Sequence, residues 1–346
     1  MSYILKRIAL MLPTLFLILL INFVIIQIAP GGPVEQQLTK IQAEQQQLAA
    51  QGFTLAQYHY QGAQGLSAQM MAELNARFGF DLPAGERFWL MLKNFAQFEL
   101  GQSFFQGQSV MDLIIQKLPI SIAFGALCLL VSYGFGVMIG VYKAKVHGSA
   151  KDHLTMLVLS VLHALPVFMM AVLLLVLFAG VWQIFPIQGA MSAQFAELSL
   201  WGKFTDLLWH LTLPVLASSV GSIAGIAYLT KFSVMNELGA SYVLAMRARG
   251  LSQRRILYTQ VLKNALLPIV SGLPLAVVGV LFSGNFLIEV IFGIDGIGRL
   301  AYDAVLQRDY PLMFGILYIF TLLGMVVQLI FDVLYVLIDP RVDFGA

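Results

Sequence analysis

Glu237-Leu-Gly-Ala-Ser-Tyr-Val-Leu-Ala-Met-Arg-Ala-Arg-Gly-Leu-Ser-Gln-Arg-Arg-Ile256, followed by Lys263-Asn-Ala-Leu-Leu-Pro268, is a basic, small-residue stretch between two long apolar segments. Ala245 lies three and Met246 four residues beyond Tyr242, the spacing of one helix face. Gly250 suits the left-handed position that closes a helix, and Ser252 can cap the next one. A short helix over 239–251 is therefore expected. Its small residues Gly239, Ala240, Ala245 and Ala248 leave a thin rod flanked by Arg247 and Arg249. Such a rod either enters a groove on a partner outside the bilayer or lies on lipid headgroups, held by its arginines.

The rest of the chain says why a bilayer is involved. Of 346 residues, 59% are hydrophobic and 11% charged, against about 25% charged in soluble domains. Mean hydropathy is +0.82. A spanning helix needs about 20 apolar residues. Six stretches qualify: 9–29, 118–142, 154–181, 207–230, 266–288 and 310–338. Six helices put both termini on one side of the membrane. With the N-terminus in the cytoplasm, the short inner segments carry Lys143, Lys145, Lys151, Lys231, Arg247, Arg249, Arg254, Arg255 and Lys263, the pattern of the positive-inside rule. The basic residues sit at membrane edges, so nucleic-acid binding is not indicated. The one cysteine, Cys128, excludes an intrachain disulfide or a cysteine cluster for metal.

The expected organisation is an N-terminal end and first span (1–29), an outer insertion (30–117), and a core (118–346) containing the inner loop 231–267. Pro30-Gly-Gly-Pro33 ends the first span. Within the insertion, Gln36 to Gln61 is glutamine-rich. Met70 to Gly79 and Arg87 to Phe95 read as amphipathic helices. The insertion either docks an external partner or caps the outer mouth. The outer link Glu289 to Asp309 is rich in glycine and acids. Glu289, Asp295 and Asp309 mark it as a gate or docking rim, or as a tight turn that needs glycine. Gly136 and Gly140 form a G-x-x-x-G spacing, for close helix approach within this chain or at a subunit interface.

Signals for catalysis are sparse. There is no G-x-x-x-x-G-K-[ST] phosphate loop, no H-E-x-x-H and no G-x-S-x-G. His163, His210 and Asp332 are the ionisable groups inside apolar segments. Such groups are costly there and default to a functional reading, so a membrane-embedded enzyme is the rival hypothesis. His163 and Asp332, with Pro166, are candidates for lining a translocation pathway.

Ser241-Tyr-Val-x-x-Met-Arg-Ala-Arg-Gly-Leu-Ser with Lys263-Asn-Ala-Leu-Leu-Pro268 resembles the "EAA" coupling loop of ABC importer permeases, most of all the dipeptide/oligopeptide permease family. The resemblance runs through nearly the whole chain. It includes Ala164-Leu-Pro-Val-Phe168, Phe185-Pro-Ile-Gln-Gly189, His210-Leu-Thr-Leu-Pro214, Glu289-Val-Ile-Phe292, Arg308-Asp-Tyr-Pro311 and Asp339-Pro-Arg341. Ala29-Pro-Gly-Gly-Pro33 and the long insertion look like the B-type permeases of microcin C and peptide importers. Three departures stand out. The loop acid Glu237 is shifted by one position, Gln328 replaces a frequent Asn, and Phe98-Glu99 replaces Gly-Asp before Leu100-Gly-Gln-Ser103.

The resemblance implies an all-α integral membrane protein with the type I ABC importer permease fold, six transmembrane helices and a periplasmic insertion after the first. It implies the bacterial inner membrane, with both termini inside. The chain would move peptides, microcin C among them, from periplasm to cytoplasm by alternating access; nickel or a glycan-peptide is an alternative solute. Partners would be a homologous second permease subunit, an ABC ATPase (two chains or one fused double ATPase) and a periplasmic peptide-binding protein. No cofactor is expected on this chain; ATP and Mg would sit on the ATPase. Glu237, Tyr242, Ala245, Arg247, Ala248, Arg249, Gly250 and Leu251 would meet that ATPase, with Asn264 and Pro268 shaping the loop. A channel or exporter component is a third reading.

Overall fold

A computed structural model describes residues 2–28, 82–282 and 286–338. The expected helix at Met70 to Gly79, the Pro30–Pro33 stop and the Asp339–Arg341 motif lie outside the described residues. Everything regular among the described residues is helical, apart from one bridge between Gln102 and Ser109. The chain divides into two compact units, Met1–Gln116 with Leu300–Leu323, and Lys117–Arg299 with Gly324–Ala346.

In the first unit, α1 (Ser2–Ile28) is uncharged beyond Lys6 and Arg7 and largely apolar on every side, as a spanning helix must be. The amphipathic α2 (Ala84–Ala96) covers the expected 87–95 pattern. Phe88 of α2 meets Phe23 of α1 with ring centres 5.1 Å apart, and Arg87 Nη2 donates to Gln27 Oε1 at 3.0 Å. Fully buried Val110 fills the space left by Gly315.

The second unit holds most of the spanning material. α3 (Val110–Lys145) enters it at Lys117. α4 (Ala150–Ala164) and α5 (Val167–Leu174, widening into a π-helical segment Leu175–Val181) pack against α6 (Leu200–Leu238). Gly136 and Gly140 let α3 approach α6 closely. A Cβ on Gly140 would stand 2.5 Å from Thr230 Cβ and 2.6 Å from the Ala227 carbonyl oxygen. The G-x-x-x-G spacing thus serves packing within this chain.

Among the described residues four helices are long and apolar enough to cross a membrane, or up to five if a bent pair counts as one span. Two sequence expectations change. The run 154–181, expected as one span, is α4 and α5 meeting at 97°. Pro166 causes the break, because a residue before proline is driven out of the helical region, and Leu165 sits at φ −74°, ψ 127°. The run 266–288, expected as another span, is divided at Gly272 into α10 (Leu267–Ser271) and α11 (Leu273–Phe282); α12 (Phe286–Ile291) resumes after residues 283–285, which lie outside the described residues. Pro268, Gly272 and Pro274 interrupt the helical ladder there. α13 (Ile297–Gln307) and α14 (Tyr310–Ile338) complete the chain. Between α6 and α10 lie α7 (Ser241–Ala248), α8 (Gln253–Ile256), a π-helical turn Leu257–Val261 and α9 (Leu262–Ala265).

Candidate functional site

The loop between α6 and α10 folds on its own local signals. α7 ends in a Schellman closure: Gly250 N–H donates to the Arg247 carbonyl at 2.9 Å and Leu251 N–H to the Met246 carbonyl at 3.2 Å. The turn requires φ +82° at Gly250. The next helix starts where Ser252 Oγ accepts from Arg255 N–H. Pro268 stands in the first turn of α10, where a missing N–H costs nothing.

α7 is held by burial as well as by caps. Val243 is fully buried in a cluster with Val141 and Ala144 of α3, Val234 of α6, and Ile256, Leu257, Val261 and Ala265. Tyr242, Met246 and Leu251 pack around its edge. The inward face is therefore Tyr242, Val243 and Met246. Ala245, assigned to that face by spacing, lies on the open side. β-branched Val243 takes the inward place, in register with Met246. The open side consists of Leu244, Ala245, Arg247, Ala248, Arg249 and Gly250.

Glu237, Tyr242 and Asn264 lie together. The Tyr242 hydroxyl donates to Glu237 Oε2 at 2.5 Å, and Asn264 Nδ2 lies 3.4 Å from both. Burial and the neighbouring Glu237 carboxylate raise the Tyr242 pKa above 10.0. Glu237 and Tyr242 thus brace the loop internally, while the open face carries the two arginines. Nearby, Lys145 Nζ donates to the exposed Tyr258 hydroxyl at 2.7 Å and lowers its pKa.

A second polar cluster escaped the sequence reading. Lys143 is 0%, Asp152 5% and Lys231 8% exposed. Lys231 Nζ donates to both Asp152 carboxylate oxygens, at 2.9 and 2.8 Å. Lys143 Nζ reaches Asp152 Oδ1 at 2.9 Å, the Asp152 carbonyl at 2.9 Å and Thr155 Oγ1 at 3.0 Å. The lysines had registered only as membrane-edge charges. The available signal was Ser149-x-x-Asp152, a helix start whose acid faces inward.

The outer acids separate into two kinds. Glu289 is 1% exposed and accepts from Ser121 Oγ at 3.0 Å and Arg299 N–H at 2.8 Å. Gly296 and Gly298 give it room: a Cβ on Gly296 would stand 2.6 Å from Glu289 Oε2. Asp309 is also 1% exposed; it accepts from Ser103 Oγ at 2.5 Å and from Phe104 N–H at 3.2 Å. Both are internal ties, and glycine in this link makes room for a carboxylate. Asp295 is exposed and pairs with Lys117.

His163 is exposed, its Nδ1 3.1 Å from the Gly221 carbonyl, so that nitrogen carries the proton. Pro166 precedes α5 at the bend. His210 Nδ1 binds the Asp206 carbonyl at 2.9 Å, and Gln328 Nε2 donates to Asp332 Oδ1 at 3.1 Å. His163 thus bonds across to α6, His210 bonds back along α6, and Asp332 takes a bond from its own helix. Among the described residues no group of three His, Cys, Asp or Glu side chains is placed to hold a metal.

A short basic helix is thus braced against the ends of apolar helices, with its two arginines on the open side. The family model for binding-protein-dependent transport system inner membrane components matches residues 136–344, and the chain belongs to that family: it is the permease subunit of an ABC importer. It is 43% identical to the peptidoglycan transport system permease protein YejB of Agrobacterium fabrum, over 99% of this chain and 98% of that one. It is 40% identical to the inner membrane ABC transporter permease protein YejB of Escherichia coli O157:H7, over 99% of both. Against the di/tripeptide transport system permease protein DppB of Pseudomonas aeruginosa it is 30% identical, over 99% of this chain and 98% of that one.

Proposed function

We infer that this chain imports short peptides across the bacterial inner membrane as one half of a permease heterodimer. Both termini and α7 face the cytoplasm, where an ABC ATPase grips the open face of α7. Nucleotide-driven closure of the ATPase draws two such helices together and turns the pathway from inward- to outward-facing. A periplasmic binding protein then delivers peptide. Six spans are completed by counting α4–α5 and the broken 266–288 run as one each, and the outer insertion faces the binding protein. The observation that carries this reading is α7 itself: its apolar side is buried in the chain, and its open side offers Ala245, Ala248 and two arginines to a partner.

The cargo reading rests on relatives named for peptidoglycan, di/tripeptide and oligopeptide transport. Peptides from cell-wall turnover and peptide antibiotics such as microcin C belong to this class. The test is reconstitution of both permeases and the ATPase in proteoliposomes, with binding protein outside and ATP inside. Labelled trialanine and a labelled muramyl peptide should accumulate only with hydrolysable ATP. Accumulation without ATP, or export instead of uptake, sinks the proposal.

A further inference from the structure

The Lys143–Asp152–Lys231 cluster joins the ends of three helices, α3, α4 and α6, through one carboxylate. Two buried lysines face one aspartate, so the cluster holds a net positive charge. Stability does not explain such an arrangement, because well-packed apolar residues of similar volume do as well or better. What ions add is direction and discrete alternatives. Lys143 has three acceptors for its three hydrogens, while among the described residues Lys231 holds the Asp152 carboxylate alone. Asp152 Oδ2 holds two further contacts alongside the lysines: it accepts from Gly148 N–H and lies beside His147 Nδ1, each at 3.2 Å.

Position along the chain gives the cluster its use. Lys231 precedes Glu237 on the same unbroken helix, and Glu237 is tied to Tyr242 at the start of α7. Thr230, beside Lys231, is in contact with α3 at Gly140. Asp152 lies in the first turn of α4, which runs straight to the 97° bend at Pro166. A pull on α7 therefore moves Lys231 together with the end of α6. Asp152 either follows, swinging α4 at the bend, or gives up Lys231 and keeps only the Lys143, His147 and Gly148 contacts it already makes. Coupling needs a physical element with two arrangements that both ends can bias, and the Lys231–Asp152 pair, made here, would supply the second by breaking.

We propose that Asp152 and Lys231 are positioning residues of the transport cycle, passing movement of the ATPase-gripped helix α7 to the bend between α4 and α5. The proposal rests on the reading of α7 as the ATPase contact. Its test uses the whole complex in proteoliposomes and reads trialanine taken up per ATP hydrolysed. Lys231→Met keeps the aliphatic stem and removes the charge; its uptake per ATP should fall about tenfold, within the usual range of coupling between sites. Lys231→Arg should recover most of the loss. A merely structural role lowers uptake and hydrolysis together, in proportion to intact complex, and leaves the ratio unchanged; that result overturns the proposal. Should Lys231→Met fail to assemble, Asp152→Glu, which keeps the charge but moves it by one methylene, is read in the same way: an altered ratio supports the proposal and an unaltered one overturns it. Wild-type complex without ATP-driven uptake would count against the import function itself, whereas wild-type uptake with an unchanged variant ratio removes only this inference.

Discussion

The hydroxyl of Tyr242 and the carboxylate of Glu237 share a hydrogen bond of 2.5 Å across the joint between α6 and α7. The joint has no side-chain N-cap, since Ala240 occupies that position. The bond substitutes for a cap by fastening the first turn of α7 to the last turn of α6.

Tyr242→Phe keeps the ring in its apolar seat and removes the bond. A hydrogen bond to a charged group contributes about 1.5–3 kcal/mol, and partial exposure at Glu237 brings the expected loss toward the lower end. Limited proteolysis between 237 and 252 should accelerate, while the thermal midpoint of the spanning helices should move little. The pH dependence follows from the raised Tyr242 pKa. A raised value stabilises the fold below the ordinary tyrosine pKa and is lost as pH rises through the folded one. Protection of the wild-type loop should therefore stay level from pH 6 to 9 and decline only above pH 10.

Gly250→Val forces a β-branched residue to φ +82°, at a cost of about 1–3 kcal/mol. The Schellman closure should open and turn Arg247 and Arg249 away from their present places. Co-purification of the ATPase with the permease should drop, and Gly250→Asn, which tolerates the left-handed region, should retain more. Equal ATPase recovery from all three would contradict the docking role of this turn.

Gly140→Ala places a methyl group within 2.5 Å of Thr230 Cβ. Overpacking of this kind costs about 1–3 kcal/mol. Gly134, with nothing within 4 Å of a built Cβ, should accept alanine within about 0.5 kcal/mol. Thermal unfolding in detergent compares the two directly.

The outer acids should also part company. Glu289→Ala strands the Arg299 N–H and the Ser121 hydroxyl in a buried place, which costs about 1–3 kcal/mol for an unsatisfied group. Asp295→Ala breaks only an exposed ion pair, of the kind that contributes about 1 kcal/mol or less. A lowered melting temperature for the first variant and not the second is the expected outcome.

Local chemistry was legible in the sequence wherever one short segment decides the outcome. Gly250 closes α7, Ser252 opens α8 and residues 87–95 form a helix, because caps and periodicity act over a few residues. Length of apolar chain was legible too, but direction was not. Hydropathy counts 154–181 as one span, and only the backbone limit imposed by Pro166 on Leu165 turns it through 97°. Pairings distant in sequence were invisible for another reason. Asp152 and Lys231 are separated by 79 positions, and neither carries a local mark of its partner. Glu289 looked like a rim acid because glycine and acid near each other suggest an exposed loop. In the fold the glycines stand aside so that the carboxylate can be buried.

The 39 residues of α6 extend about 58 Å at 1.5 Å per residue, and a bilayer's hydrocarbon is about 30 Å thick. From Lys231 to Leu238 the helix runs on for two turns past its apolar stretch, about 12 Å. That overhang is a lever arm. In the proposed transport cycle it would hold α7 beyond the acyl chains, within reach of an aqueous protein, and would turn a small displacement there into a tilt of the apolar stretch.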